Sequence, residues 1–451
     1  AEDWTGRLEI RSTIDGNVGN CGVERYRDLA STHVKCVEKR PLSENSAVLS
    51  VVTTQSQIPI ALAARTTVWH GGGPAPATYR LVDEEFEIGH EIFTELATGQ
   101  TLSVEKIVSV VTGRDVATSE VVAGAERRLG RQGRFAEVRA GHTIAWAHLW
   151  ERLSIEFDDH VDELRILRLH LLHLLQTVSY NTEDLDVGVP ARGLHGEAYR
   201  GHIFWDELFI FPVLNLRLPT VTRALLRYRY RRLIEARRAA KLAGYAGAMF
   251  PWQSGSDGRE ESPDLHLNPR SGRWNPDPSH RAHHIGIAVA YNVWQFYQAT
   301  GDLAYLIDYG TELLVEIARF WVSRASYDEE RQRYCINGVI GPDEFHSGYP
   351  DRPYDGVDNN AYTNVMAVWV ILRAIDALTL MPLPNRLDIR EKLGLTDAEL
   401  AQWDRVSRQM FVPFHDGVIS QFEGYDKLAE LDWELYLQRY GDIQRLDRIL
   451  E

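Results

Sequence analysis

Residues 283–324, HHIGIAVAYNVWQFYQATGDLAYLIDYGTELLVEIARFWVSR, carry the periodicity that decides the fold. Ile285, Val289, Val293 and Phe296 recur at helical spacing and mark one apolar face. Gly301 lies just past its end, where a left-handed residue closes a helix. Asp302 then starts a second helix, with Leu306, Leu313, Ile317 and Phe320 on its buried side. The pattern repeats along the second half of the chain. Helices are expected over 161–180, 219–243, 283–299, 303–324, 360–381, 397–411 and 431–450. Irregular segments at 182–205, 247–282 and 333–359 interrupt them and are too long to be passive connectors. Paired helices joined by short turns and broken by such loops predict an α-toroid. Function concentrates on loops of this kind.

Upstream the period changes. Residues 1–110 hold alternating runs, LEIRS, AVLSVVTTQ, IPIALAARTTVW, YRLVDEEFEI and QTLSVEKIVSVVTG, several of them separated by turn-forming DGNVGN and HGGGPAPA. They read as an antiparallel β-sandwich, whole or partial. Residues 117–157 turn helical around Trp146 and Trp150. The expectation is therefore a multidomain α+β chain: a partial β-sandwich over 1–116, a helical linker over 117–160, and a helical barrel over 161–451 that is incomplete at its C-terminal side. Near the end, Leu431, Leu435, Leu437, Ile443, Leu446, Ile449 and Leu450 keep a largely helical spacing, and no Gly or Asn cap follows. The chain reads as a fragment of a longer protein. The helix at 431–450 and the first barrel helix, with Leu164, Ile166, Leu167, Leu171 and Leu174, are expected to leave apolar faces uncovered.

Composition narrows the chemistry. The 451 residues are 44% hydrophobic and 25% charged, which is globular. The formal charge of −15, from 49 basic and 64 acidic residues without a basic run, argues against nucleic acid and anionic membranes as partners. No uninterrupted apolar run reaches the length of a membrane span. Cys21, Cys36 and Cys335 form neither a disulfide framework nor a metal knuckle, and a reducing, cytoplasmic compartment fits them. Twelve Trp and nineteen Tyr supply flat faces suited to sugar rings, though a large core uses them too.

Three loops hold the candidate residues. In GLHGEAYRGHIFWDELFIFP, Trp205 offers a stacking face and Asp206 an acceptor for paired hydroxyls; the competing reading is a core aromatic beside a helix N-cap. In GAMFPWQSGSDGREESP, Trp252 stands beside Gln253, which both donates and accepts. In YCINGVIGPDEFH, a stiff Gly341-Pro342 turn presents Asp343 and Glu344 against apolar and aromatic neighbours, which raises a carboxyl pKa towards that of a general acid. The competing reading makes Asp343 a cap for a following helix. His280, His283 and His284 in PSHRAHH lack a Cys or carboxylate at ligand spacing, so no metal site is expected; lining a sugar pocket or capping the helix suits them better. Three loops that each set an aromatic beside a carboxylate or amide resemble one polyol pocket.

GEAYRGHIFWDELFIFP, AMFPWQSGSDGREESP, VAYNVWQFYQATGD, INGVIGPDEFH and VDNNAYTN resemble, in order, the signature segments of glycoside hydrolase family 65. IRSTIDGNVGNCGVERYRDL resembles the late part of that family's β-sandwich. The resemblance spans almost the whole chain and implies an (α/α)6 barrel behind a sandwich and a helical linker. It implies inverting cleavage of an α-linked glucose disaccharide, with phosphate as co-substrate and no other cofactor, giving β-glucose 1-phosphate and a released sugar. Inverting hydrolysis and non-catalytic sugar binding remain alternatives, because the family's phosphate loop and its hydrolytic base map beyond Glu451. The resemblance makes Glu344 the general acid and places Trp205, Asp206, Trp252 and Gln253 against the sugar. It also implies a homodimer. One departure stands out: many members carry Asp where this chain has Ala288. Linkage and acceptor stay open, and Trp205, Asp206, Trp252, Gln253 and Glu344 are expected to meet in one cleft.

Overall fold

The computed structural model describes residues 3–20, 30–158, 160–194, 196, 198–268, 272–343 and 346–441. The chain divides into two units, residues 1–171 and 172–451, each with its own core.

The first unit is built of antiparallel strands in two sheets. Strands β1 (Gly6–Asp15), β6 (Thr78–Asp83) and β7 (Glu87–Leu96) form one, in the order β1-β7-β6. Strands β2 (Val34–Ser43), β3 (Ser46–Thr53), β4 (Pro59–His70), β5 (Gly73–Pro74) and β8 (Leu102–Thr112) form the other, with β8 paired along β4 from Ile60↔Thr112 to His70↔Leu102. Period-2 alternation places Ala47, Leu49 and Val51 of β3 on one face with Ala64, Ile14 and Ile88, the core between the sheets. The opposite residue, Val48, joins Ala61, Ala63 and Val111 under helix α1 (Val121–Arg131), which buries Val121, Val122, Ala125 and Leu129 there. Both faces of β3 are therefore covered, and its sequence is correspondingly apolar throughout.

The alternating runs all become strands, with two differences. YRLVDEEFEI is not one strand: it turns at Glu84–Phe86 and contributes to both β6 and β7. Strand β2 is hidden in VKCVEKRPLS by its charges and by Pro41. It is an edge strand with register shifts at Cys36/Glu38 and Pro41/Ser43, where a proline is tolerated. The helical stretch after the sandwich is α1 followed by α2 (Phe135–Leu153).

Beyond it, α3 (Val161–Thr177) leads into the helical unit: α4 (Glu207–Arg217), α5 (Pro219–Arg231), α6 (Leu233–Leu242), α7 (His284–Thr300), the short α8 (Leu303–Tyr305), α9 (Thr311–Arg324), α10 (Ala361–Leu380), α11 (Leu383–Leu393), α12 (Asp397–Gln409) and α13 (Trp433–Tyr440). Gly301 closes α7 at φ 68°, and the Asp302 carboxylate caps the next turn by accepting from Tyr305 N at 2.9 Å. The expected helix over 303–324 carries a π-helical stretch at Leu306–Gly310. The one expected over 219–243 is broken at Arg232, whose guanidinium turns to Asp186. Pro212 masked α4 in the sequence, and the largely polar LPNRLDIREKL masked α11.

Helix α10 is long and apolar enough by composition to cross a bilayer. Here Ala367, Val370, Ile371, Ala374 and Ala377 are buried, and the helix packs against α7, α9 and α12. Helix α13 has no buried residue, with Leu435 and Leu437 half exposed, as expected; residues 442–451 lie outside the described part. In α3, Ile166 is exposed as expected, but Leu171 is 7% exposed and Leu164, Leu167 and Leu174 are partly covered.

Candidate active site

Two of the three long loops are zipped together by a single antiparallel bridge. Ile203 N donates to Ser254 O and Ser254 N to Ile203 O, both at 3.0 Å. The Tyr228 hydroxyl on α5 locks the bridge through Ser254 Oγ at 2.7 Å. This register puts the next residues of each strand side by side: the Trp205 and Trp252 ring centroids are 5.8 Å apart, and Phe204 meets Trp252 edge-on at 5.6 Å. Just upstream, Tyr199 and Arg200 both sit in the left-handed region, at φ 61° and 54°, and Tyr199 packs edge-on to Phe204. Two consecutive non-glycine residues there represent stored strain of a kind found at ligand sites. On the second loop, the Glu260 carboxylate accepts from Trp252 N at 2.7 Å, Gln253 N at 3.1 Å and Ser262 N at 3.0 Å, tying the segment into a closed turn.

Helices α7 and α10 complete the wall. His284, first residue of α7, is 2% exposed and packs against Trp205 at 5.0 Å, Trp252 at 4.8 Å and, edge-on, Tyr362 of α10 at 6.3 Å. Adjacent His283 turns away to Phe320 on α9. Among the described residues neither ring nitrogen of His284 has a partner in hydrogen-bond geometry. Burial pushes its pKa down to about 4, and the nearby Ile340 backbone offsets only part of that. His284 is thus neutral at physiological pH. Because the folded value lies below the unfolded value of roughly 6.5, its contribution to stability is complete above that pH and is lost as pH falls towards 4. Denaturation midpoints at pH 7 and pH 5 should show this loss, and His284→Phe should remove that share of it. An unchanged pH dependence in the variant would show that another group is responsible.

Asp206 occupies the N-cap position of α4, as the competing reading had it, but its side chain makes no capping bond. Its carboxyl is half-buried, and desolvation raises its pKa against the weaker opposing effects of its own amide and Arg192. Gln253 is buried, with Oε1 3.1 Å from His202 Nδ1. Burial holds His202 below its ordinary pKa although that contact works the other way.

Glu344, expected beside the four other site residues, lies outside the described residues. The described residues before and after it in sequence are well tied. Ile340 N donates to Arg281 O at 3.2 Å, which ties the loop to the start of α7. Two residues past Glu344, buried His346 meets Gln421 Oε1 through Nε2 at 2.8 Å and Asn360 Nδ2 through Nδ1 at 3.5 Å. A Cβ on Gly341 would stand 2.4 Å from His346 Nδ1 and 2.5 Å from Asn360 Nδ2, so only glycine fits. The paired asparagines of VDNNAYTN divide the work. Asn359 takes the left-handed conformation at φ 48°, which Asn tolerates, and bonds Ile336 N, Asn364 and Glu423. Asn360 caps α10 at Thr363 N. The next helix after Asp343 is therefore capped by Asn360, and the reading of Asp343 as a helix cap falls.

Trp205 and Trp252 are brought together, and Asp206 and Gln253 are their neighbours in sequence. Sequence reasoning did not select Tyr362, Glu260 or His202, although each lies inside a quoted motif; only their partners reveal them. Ala288 is buried in α7 and offers no carboxylate. Among the described residues no three His, Cys, Asp or Glu side chains group as metal ligands. Two packed indoles with a buried, neutral imidazole between loops that also carry an amide and a desolvated carboxyl are residue types that suit a polyhydroxylated ring.

The family description "Glycosyl hydrolase family 65 central catalytic domain" matches residues 168–451, and that family's N-terminal domain matches residues 1–149. The chain belongs to glycosyl hydrolase family 65. It is 61% identical over 451 residues to an uncharacterised glycosyl hydrolase of Mycobacterium tuberculosis, covering all of this chain and 34% of that protein. It is 34% identical over 455 residues to the trehalose 6-phosphate phosphorylase of Lactococcus lactis, covering all of this chain and 56% of that enzyme. The chain thus spans between a third and about half of these relatives. A solved structure from the human microbiome, provisionally described as a kojibiose phosphorylase, superposes with a TM-score of 0.76 over 98% of this chain and 55% of its own, at 21% identity. That likeness shows the shared fold, a β domain followed by a helical domain.

Proposed function

We propose that the full-length protein containing this chain cleaves an α-linked glucose disaccharide with inorganic phosphate and inversion, releasing β-glucose 1-phosphate and a sugar. The observation that carries this reading is the convergence of Trp205, Trp252, His284 and Tyr362 at the segment that holds Asp206 and Gln253. The 34% identity to a trehalose 6-phosphate phosphorylase supports phosphate as the nucleophile. In this reading Trp205 and Trp252 stack on the glucosyl ring, and Asp206 and Gln253 fix its hydroxyls. Glu344 protonates the glycosidic oxygen, so that the leaving sugar departs as a neutral alcohol. Phosphate attacks the anomeric carbon from the opposite face and inverts it. A phosphorylase needs no general base for this step, whereas an inverting hydrolase places a second carboxyl roughly 6.5–9.5 Å away to activate water.

The reverse reaction tests the stereochemistry. With glucose as acceptor, β-glucose 1-phosphate should be consumed and an α-linked disaccharide formed, with inorganic phosphate released. Consumption of α-glucose 1-phosphate instead would overturn inversion.

A further inference from the structure

The Trp205-Asp206 pair is bracketed by a buried ion pair. Arg229 on α5 and Glu207 on α4 are each 2% exposed. Arg229 Nη2 donates to Phe204 O at 3.0 Å and lies 3.4 Å from Glu207 Oε2. Glu207 Oε1 accepts from Val189 N at 3.2 Å, and a Cβ on Gly188 would come within 2.9 Å of that oxygen. The pair therefore holds the backbone immediately before Trp205, the residue immediately after Asp206, and the loop around residue 189. As a stabilising device it is poorly made. Among the described residues Arg229 Nε and Nη1 have no hydrogen-bond partner, and burial raises the Glu207 pKa against the guanidinium's influence. A buried pair of this quality is commonly matched or bettered in stability by apolar residues of similar size. Its place directly beside the two residues read as contacting the sugar points to another role.

We infer that Arg229 and Glu207 are positioning residues for the sugar site: they set the height and direction of the Trp205 ring and the Asp206 carboxyl against Trp252. The inference rests on the reading that Trp205 and Asp206 contact a glucosyl unit. The step they act on is binding and orientation, where a displacement of about 1 Å costs as much as a hundredfold.

The test removes both charges at once in the full-length protein, as Arg229→Met with Glu207→Leu, so that neither partner is left buried alone. Thermal stability should stay within a few degrees of the parent or rise. The glucose dissociation constant, read from quenching of tryptophan fluorescence, should rise about ten- to hundredfold, with KM rising in parallel and kcat changing less. Arg229→Lys gives a second route should the double variant fail to fold. A lysine keeps the charge opposite Glu207 but lacks the fork that reaches Phe204 O as well, and an intermediate weakening is expected. A folded variant of either kind with unchanged glucose affinity and KM would overturn the inference. Weakened glucose binding in a protein that shows no phosphorolysis would leave positioning standing and remove the phosphorylase reading. A parent protein that binds no glucose and turns over no glucoside would overturn both.

Discussion

Replacing Glu344 with Gln in the full-length protein is expected to cut cleavage of an α-linked glucose disaccharide by about 10²–10⁴-fold, the usual worth of a general acid. Glutamine keeps the volume and hydrogen-bonding capacity of the side chain but has no proton to deliver. Glucose affinity and thermal stability should therefore stay close to the parent values. The effect should be largest on substrates with poor leaving groups and shrink for an activated fluoride, whose departure needs little protonation. A variant that keeps most of its rate on a natural disaccharide would move the acid role elsewhere. Asp343, one residue upstream on the same loop, would be the first candidate.

Trp252→Ala should be the most damaging change on the cleft wall. Its ring meets Phe204, Trp205 and His284 at 5.6, 5.8 and 4.8 Å, so truncation removes three aromatic contacts and opens a void between two loops and α7. A fully buried Trp truncated to Ala costs about 3–5 kcal/mol, and this half-buried one should fall at the lower end, near 3 kcal/mol. Glucose affinity should fall by more than about tenfold, equivalent to about 1.4 kcal/mol. Trp252→Phe should recover most of the stability and part of the affinity. Urea unfolding together with glucose titration checks both. A stable Ala variant with parental affinity would place the sugar elsewhere.

The fold was legible where one periodicity ran uninterrupted. The α7–α9 hairpin could be read from its apolar stripe, Gly301 and the Asp302 cap, because both caps work through local backbone geometry. Strand β2, α4 and α11 were not, since Pro41, Pro212 and a run of charges each break the local pattern while tertiary packing overrides it. The candidate site followed the same division. Trp205 and Trp252 could be named from their loops, yet 46 positions of sequence separate them, and it takes tertiary contacts such as the Ile203–Ser254 bridge to bring their rings together. His284 could be placed at the start of a helix. That it would face the indoles while His283 faced α9 depends on the rotation of that helix in its bundle, which no single segment encodes. The Arg229–Glu207 pair lay beyond reach for the same reason: each residue looks like an ordinary surface charge on an amphipathic helix, and burial alone sets them apart.

The central claim is phosphorolysis by inversion, and phosphate dependence tests it most directly. The full-length protein should be incubated with α-1,1-, α-1,2-, α-1,3- and α-1,4-linked glucose disaccharides and their 6-phosphates, with and without orthophosphate, and followed by ³¹P and ¹H NMR. With at least one of them, β-glucose 1-phosphate should form in step with the released sugar, and nothing should be cleaved when phosphate is left out. Release of free β-glucose at the same rate with or without phosphate would contradict the account and make the protein a hydrolase.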